Sequence, residues 1–388
     1  MVDRVPDIRF KGFTDAWVQR KAKDLFIPVN ERNREDLPVL SVTQDQGVVF
    51  RKDLAIDIKY DESTLSSYKV IHPGDFVISL RSFQGGFELS NVLGISSPAY
   101  TIFNFAVPAE QDKLYWKTIL KTFKFIESLK TVTFGIRDGK SISFKEFGDL
   151  KLNYPSDVDE QRRIGEFFAK LDETIALHQR KLDLLKEQKK GYLQKMFPKN
   201  GKKVPELRFA GFADDWEQRK VRELFTVTRG QVLAVSEVSS IKTLVNPYPV
   251  YSSQTKNNGL LGYYHDYLFD GGITWTTDGA NAGTVKYRNG KFYSTNVNGV
   301  LLSNDGYMNK SIAEILNKSA WKYVSHVGNP KLMNNVMSDI KIEIPTKISE
   351  QKNLSGLIDK IDNLITLHQR KLELLKEQKK GFLQKMFV

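Results

Sequence analysis

The most regular alternation of apolar and polar positions falls in two long stretches without proline. In the first, Ile164, Phe168, Leu171, Ile175, His178, Leu182, Leu185, Lys189, Tyr192 and Met196 follow one another in alternating steps of four and three. In the second, Leu354, Ile358, Ile361, Ile365, His368, Leu372, Leu375, Lys379, Phe382 and Met386 keep the same register. A repeat of 3.5 residues is the spacing of a coiled-coil seam. Each stretch predicts a helix of about 38 residues, a rod of about 57 Å at 1.5 Å per residue. Ser156 or Asp157, and Ser349, are the expected N-caps, following Pro155 and Pro345. A rod with one apolar stripe needs a partner along its length, and the other copy can supply it. His178 and His368, with Lys189 and Lys379, interrupt the seam and are expected to tune register or to snorkel. A second row (Phe167, Leu177, Leu184, Leu193) widens the apolar face beyond a two-helix seam and leaves room for another protein.

The segment before each rod reads differently. In the first, VLSVTQ (39–44), DFVISLR (75–81) and YTIFNFAV (100–107) predict strands, LYWKTILKTFKFIESL (114–129) a helix and DLKLNYP (149–155) a closing strand. In the second, YPVYSS (248–253), GITWTT (272–277), GTVKYR (283–288) and NGVLLS (298–303) predict strands. There SIAEILNKSAWKYVSHV (311–327) is the helix and DIKIEIP (339–345) the closing strand. Each is a mixed α+β globule. The predicted division is a globule at 1–157, a helix at 158–197, a globule at 198–348 and a helix at 349–388.

Internal repetition sharpens this picture. HQRKLDLLKEQKKGYLQKMF (178–197) and HQRKLELLKEQKKGFLQKMF (368–387) agree at eighteen of twenty positions. VPDIRFKGFTDAWVQRKAKDLF (5–26) and VPELRFAGFADDWEQRKVRELF (204–225) are a second matched pair. Asp15 and Asp214 are placed to cap short helices, and Trp17, Trp216, Phe26 and Phe225 to anchor cores. The chain is thus two tandem modules with matched starts, unmatched middles and matched ends.

Charge alters the picture less than its total suggests. The net charge is +12, which points to a polyanionic partner. Each twenty-residue repeat carries six basic and two acidic residues, so two thirds of the excess lies on helices whose charged faces can simply be solvated. There is no cysteine, and the five histidines are scattered, which argues against structural or catalytic zinc. No apolar run approaches the ~20 residues of a membrane span, and MVDRVPDIRF lacks the core of a signal peptide; a cytoplasmic location is expected. Asn246-Pro247-Tyr248-Pro249 superficially resembles an adenine-methyltransferase motif but has no glycine-rich cofactor loop before it. No phosphate-binding loop or nucleophile elbow occurs, and Asp138 with Lys140 makes no nuclease constellation. A non-catalytic chain is expected.

Two matched long helices alternating with two unmatched α+β globules resemble the specificity subunit of type I restriction–modification systems. The segments DEQRRIGEFFAKLDETIALHQRKLDLLKEQKKGYLQKMF and SEQKNLSGLIDKIDNLITLHQRKLELLKEQKKGFLQKMF carry the resemblance, including their acidic-Gln entries Glu160-Gln161 and Glu350-Gln351. The resemblance implies an antiparallel helix pair in a pseudo-twofold arrangement, and two target recognition domains reading the halves of a split, non-palindromic site in double-stranded DNA. It further implies two docked modification subunits that use S-adenosylmethionine, and a restriction subunit that uses ATP and Mg, with no cofactor in this chain. The rod length sets an upper bound of about 17 base pairs on the half-site spacing. The expected helix seam is Ile164, Phe168, Leu171, Ile175, Leu182, Leu185, Leu354, Ile358, Ile361, Ile365, Leu372 and Leu375. The expected DNA contacts are Arg81, Ser82, Gln84, Arg137 and Lys140 in the first globule. In the second they are Ser253, Gln254, Lys256, Thr276, Thr277, Asn281 and Arg288; all are polar residues on loops or strand ends. Arg180, Lys181, Lys186, Lys189 and Lys190 are available either to acidic partner surfaces or to DNA phosphates. Two other readings compete: a stand-alone two-domain DNA-binding regulator or antirestriction protein, and a nuclease with an unrecognised site.

Overall fold

A computed structural model describes residues 5–43, 46–54, 61–80, 85–132, 142–199, 202–253 and 256–388. The chain is α+β and forms two compact units, Met1–Gln179 with Arg370–Val388, and Arg180–Gln369. Each unit therefore holds one globular head, part of the helix that follows that head, and part of the other long helix.

In the first unit, strand Val18–Lys21 pairs antiparallel with Lys151–Tyr154, joining the matched start to the residues just before the helix. The head is built on a four-stranded antiparallel sheet in the order Phe26–Val29, Thr101–Phe105, Phe76–Ile78, Phe87–Leu89. Phe26, Phe76, Phe87, Phe103, Trp116 and Phe147 fill its core, with rings meeting at 5.0–6.5 Å. The helix expected over 114–129 is two helices, Lys113–Ile119 and Phe123–Leu129. Thr122 breaks it by capping the second, its hydroxyl accepting from the Phe125 N–H at 3.2 Å.

The first long helix spans Val158–Lys195. Asp157, not Ser156, caps it, accepting from the Asp159 N–H at 2.8 Å. Within this unit Ile164 and Phe168 share the head's core with Met386 and Phe387 from the end of the second long helix. Phe167 meets Phe382 at 5.1 Å, Phe168 meets Phe387 at 5.7 Å, and Lys379 pairs with Asp172. From the Phe167–Phe382 contact to the Asp172–Lys379 pair the numbering rises on one helix and falls on the other, so the two helices run antiparallel here.

The second unit repeats the plan with different contents. Strand Glu217–Lys220 pairs antiparallel with Lys341–Ile344. A six-stranded sheet follows the order Thr226–Arg229, Asn298–Leu302, Phe269–Thr276, Val285–Ser294, Tyr248–Tyr251, Leu260–Tyr264. Helix Lys310–Ser319, capped by Asn309, packs Ile312, Ile315 and Leu316 into the core. The helix expected to reach residue 327 ends at Ser319 and tightens into a 3-10 turn, because Ser325 bridges to Lys331 instead. The second long helix spans Ile348–Lys385. Its first turn forms on the Lys347 carbonyl, which accepts from Glu350 and Gln351, so Ser349 lies inside it and is not the cap. Asp15 and Asp214 are not caps either. The short helices Ala22–Leu25 and Val221–Leu224 start from Lys21 and Lys220, and Asp214 pairs with Lys347 at 2.9 Å.

The matched segments make the same bonds in both units. Arg9 grips Glu160 with two hydrogen bonds of 2.6 and 2.7 Å, and Arg208 grips Glu350 at 2.7 and 2.8 Å. Gln161 donates to the Pro155 carbonyl and Gln351 to the Pro345 carbonyl. The Ile8 N–H bonds the Lys385 carbonyl, and the Leu207 N–H bonds the Lys195 carbonyl. Trp17 packs on Phe387 and Trp216 on Phe197. Lys189 pairs with Asp362 at 2.9 Å, the counterpart of Lys379 with Asp172. The lysines that interrupt the apolar seam thus pair with the opposing helix and fix its register. Of the twelve expected seam residues, Leu171, Ile175 and Ile365 are half-buried and the other nine are buried.

Candidate nucleic-acid interface

A polar cavity in the second head grows out of two adjacent strands. Phe269–Thr276 and Val285–Ser294 pair antiparallel, with Thr274 opposite Lys286 and Gly272 opposite Arg288. Side chains alternate along a strand. Ile273, Trp275 and Val285 enter the apolar core, so Thr274, Thr276, Lys286 and Arg288 fall on the opposite face. There they line a cavity of about 170 Å³ with Ser252, Asn281 and Asn298.

Arg288 is its central group. It is only 8% exposed. Its Nε donates to the Thr274 hydroxyl at 3.0 Å and its Nη2 to the Asn258 carbonyl at 2.8 Å. The guanidinium lies 3.7 Å from the centre of the Tyr251 ring. Asn257 and Asn258 adopt left-handed backbone, which asparagine tolerates, and this presents the carbonyl to Arg288. Burial lowers the Arg288 pKa to about 10, with Tyr251 working in the other direction. Burial also lowers that of Lys286. Both shifts reflect the cost of a charge removed from water.

A larger hollow of about 460 Å³ adjoins the cavity and shares Asn258, Lys286 and Arg288 with it. Its other cations are paired: Lys189 with Glu314 at 3.4 Å and Asp362 at 2.9 Å, and Lys310 with Asp359 at 2.9 Å and Asp362 at 2.6 Å. Arg288 has no carboxylate partner among the described residues.

Of the expected DNA contacts, Thr276, Asn281 and Arg288 come together at this cavity. Ser253 stands beside them, its carbonyl accepting from the Asn281 amide at 3.3 Å. Thr277 is buried, with its hydroxyl within reach of the Val297 carbonyl and the Asp278 carboxylate. Lys256 begins the turn Lys256–Gly259. Gln254 lies outside the described residues, as do Arg81, Ser82, Gln84, Arg137 and Lys140 of the first head. Sequence reasoning passes over Thr274, Lys286 and Asn298. The signal for Lys286 is the alternation in Val285-Lys286-Tyr287-Arg288, which sets the lysine on the same face as the arginine. Among the described residues no group of three or more His, Asp or Glu side chains is placed to hold a metal ion. Nor is any helix there long and apolar enough to cross a membrane.

One frame built twice, carrying two unlike heads of which one holds a buried cationic cavity, defines a modular recognition protein. Comparison with known proteins gives it a family. The model of the type I restriction modification DNA specificity domain matches residues 16–187 and again 213–377. A putative type I specificity subunit N-terminus from Mycoplasma pneumoniae is 39% identical over 136 residues, covering 34% of this chain and 71% of that protein. The MpnII type I restriction enzyme specificity subunit of the same organism is 34% identical over 173 residues, covering 41% of this chain and 51% of that subunit. In fold, the chain is similar to a type I restriction–modification S subunit from M. genitalium, with a TM-score of 0.69 at 14% identity over 99% of both chains. The chain belongs to the type I restriction–modification DNA specificity family.

Proposed function

We propose that this chain reads DNA sequence for a type I restriction–modification assembly, each head recognising one half of a bipartite, non-palindromic site. Two methyltransferase subunits dock on it, one at each helix pair, and methylate adenine with S-adenosylmethionine. A restriction subunit using ATP and Mg joins them. The chain itself contributes recognition and scaffolding and no catalysis.

The observation that carries this reading is the contrast between frame and heads. The clamps Arg9–Glu160 and Arg208–Glu350, and the register pairs Lys379–Asp172 and Lys189–Asp362, are the same in both units. The sheets they support are not: among the described residues the first head has a four-stranded sheet and two separate two-stranded ones, the second a single six-stranded sheet. Equal frames suit two copies of one partner, and unequal heads suit two different half-sites.

The test is methylome sequencing of a host carrying a type I methyltransferase subunit, with and without this chain. The expected result is a two-part adenine-methylation motif that appears only with the chain. Replacing one head with that of a relative should change one half of the motif and leave the other. A motif unchanged on removing the chain, or a single continuous palindrome, would refute the reading.

A further inference from the structure

The geometry points to the Arg288–Lys286 cavity of the second head as a binding pocket for a single phosphate group. This deepens the DNA-reading proposal and rests on it for the source of the phosphate.

Charge is the first argument. A guanidinium held at 8% exposure is expected to have a counter-charge, because an unpaired ion in a low-dielectric interior is costly. Lys189 and Lys310 nearby are paired with carboxylates, whereas among the described residues the partners of Arg288 are the Thr274 hydroxyl, the Asn258 carbonyl and Tyr251, none of them a carboxylate. Among the described residues no acidic side chain lines the cavity itself, and Lys286 adds a second positive charge to its wall; Glu314 and Asp362 line the adjoining hollow, where Lys189 and Lys310 pair with them. An anion is the class of ligand that would supply the counter-charge.

Shape and donor count narrow the class. A volume of about 170 Å³ is close to that of a cavity of ~150 Å³ that takes up one benzene, so it suits one small group rather than a whole nucleotide. Lys286, Arg288 and the hydroxyls of Thr276 and Thr284 surround the space. Donors on several sides suit a tetrahedral oxyanion better than a flat carboxylate. Asn298 also faces in; it is 2% exposed and its Oδ1 has no hydrogen-bond partner among the described residues. That acceptor can take the proton of a hydrogen phosphate, or a water held beside a phosphodiester. The phosphate belongs either to the DNA backbone or to a free ion.

Calorimetric titration of inorganic phosphate into the full chain, at constant ionic strength against chloride, tests the pocket. Saturable one-to-one binding is expected. Lys286→Gln should weaken it at least tenfold and Arg288→Gln should abolish it. Lys291→Gln, exposed on the same strand, should leave it unchanged. If Arg288→Gln does not fold, Lys286→Gln and the isosteric Thr276→Val decide. Absence of saturable binding, or equal binding by Lys286→Gln, overturns the pocket. A second arm measures duplex DNA binding in the presence of phosphate. Competition in the wild type that is lost in Lys286→Gln identifies a backbone phosphate; phosphate binding without competition identifies a free ion. Duplex binding without phosphate binding removes the pocket and leaves the DNA reading intact. Phosphate binding by a chain that binds no duplex, alone or with its methyltransferase subunit, does the reverse.

Discussion

Replacing Arg9 by alanine should cost the first unit about 3 kcal/mol, the low end of the range for stranding one member of a buried ion pair. Glu160, with a side chain only 1% exposed, receives two short bonds from Arg9. Among the described residues no other side chain bonds its carboxylate. Its place in the first turn of the Val158–Lys195 helix offsets some of the loss, since a negative charge near a helix N-terminus gains ~0.3–1 kcal/mol. In a unit of this size 3 kcal/mol corresponds to a fall in melting temperature of about 6–12 °C. The diagnostic feature is asymmetry. Arg9→Met with Glu160→Leu removes both charges and should restore most of the loss, because a well-packed apolar pair can match a buried ion pair. Arg208→Ala should behave alike in the second unit, where Glu350 is held in the same way. Thermal and urea unfolding of the two single variants and the double replacement measure this. If Arg9→Ala costs less than 1 kcal/mol, or Arg9→Met with Glu160→Leu is no more stable than Arg9→Ala, the clamp is not what fixes the matched start to the helix.

Further outcomes follow from other contacts. Burial pushes the Asp362 carboxyl up, but hydrogen bonds from Lys310 and Lys189 outweigh it and hold the group below the usual carboxylate range. Its contribution is therefore present above about pH 4 and lost as pH falls through the lowered folded value. Lys189→Met should raise that value and move the acid-unfolding midpoint of the second unit upward, followed by circular dichroism; an unchanged midpoint counts against the pairing. Gly299→Ala would set a Cβ 2.1 Å from the buried Trp275 ring. It should cost about 1–3 kcal/mol by overpacking, read in urea unfolding, while Gly356→Ala, with open space around it, should be neutral or stabilising.

The frame was legible in the sequence because duplication and periodicity both report on it. A 3.5-residue stripe identifies a long helix whatever it packs against, and Trp17 and Trp216 stand at equivalent places in matched segments. What escaped is set by single hydrogen bonds. Thr122 divides one expected helix and the Ser325–Lys331 bridge cuts short another; apolar spacing is blind to both. The cavity was half legible. Arg288, Thr276 and Asn281 stand out as polar residues at strand ends, but Thr274 and Lys286 lie inside their strands, where only alternation marks their face, and Asn298 is drawn in by pairing with a third strand. Thr277 shows the converse: alternation turns it inward, where its hydroxyl is occupied internally.

Packing accounts for only part of the identity between the two twenty-residue repeats. From Lys181 to Gly191 and from Lys371 to Gly381 the pattern of buried and exposed positions is the same. Leu182, Leu185, Leu372 and Leu375 are buried, and core packing explains them. Leu184 and Leu374 are 51% and 52% exposed, and Leu177 and Leu367 are 59% and 62% exposed; the frame has no use for an apolar side chain there. Surface substitutions of this kind change stability by only about 0.5 kcal/mol, so packing does not require leucine at these places. A partner covering them would, and it would have to cover both units alike. Leu184→Glu with Leu374→Glu should therefore leave unfolding unchanged and disrupt assembly with the methyltransferase subunit. A buried leucine contributes about 1.5–3 kcal/mol, so each surface should lose roughly tenfold or more in affinity. Leu184→Glu alone should leave one surface intact and shift the complex towards a single methyltransferase subunit per chain, measurable by native mass spectrometry. Two subunits retained by the double variant at the wild-type affinity would mean that the partners dock elsewhere, and the repeated leucines would need another cause.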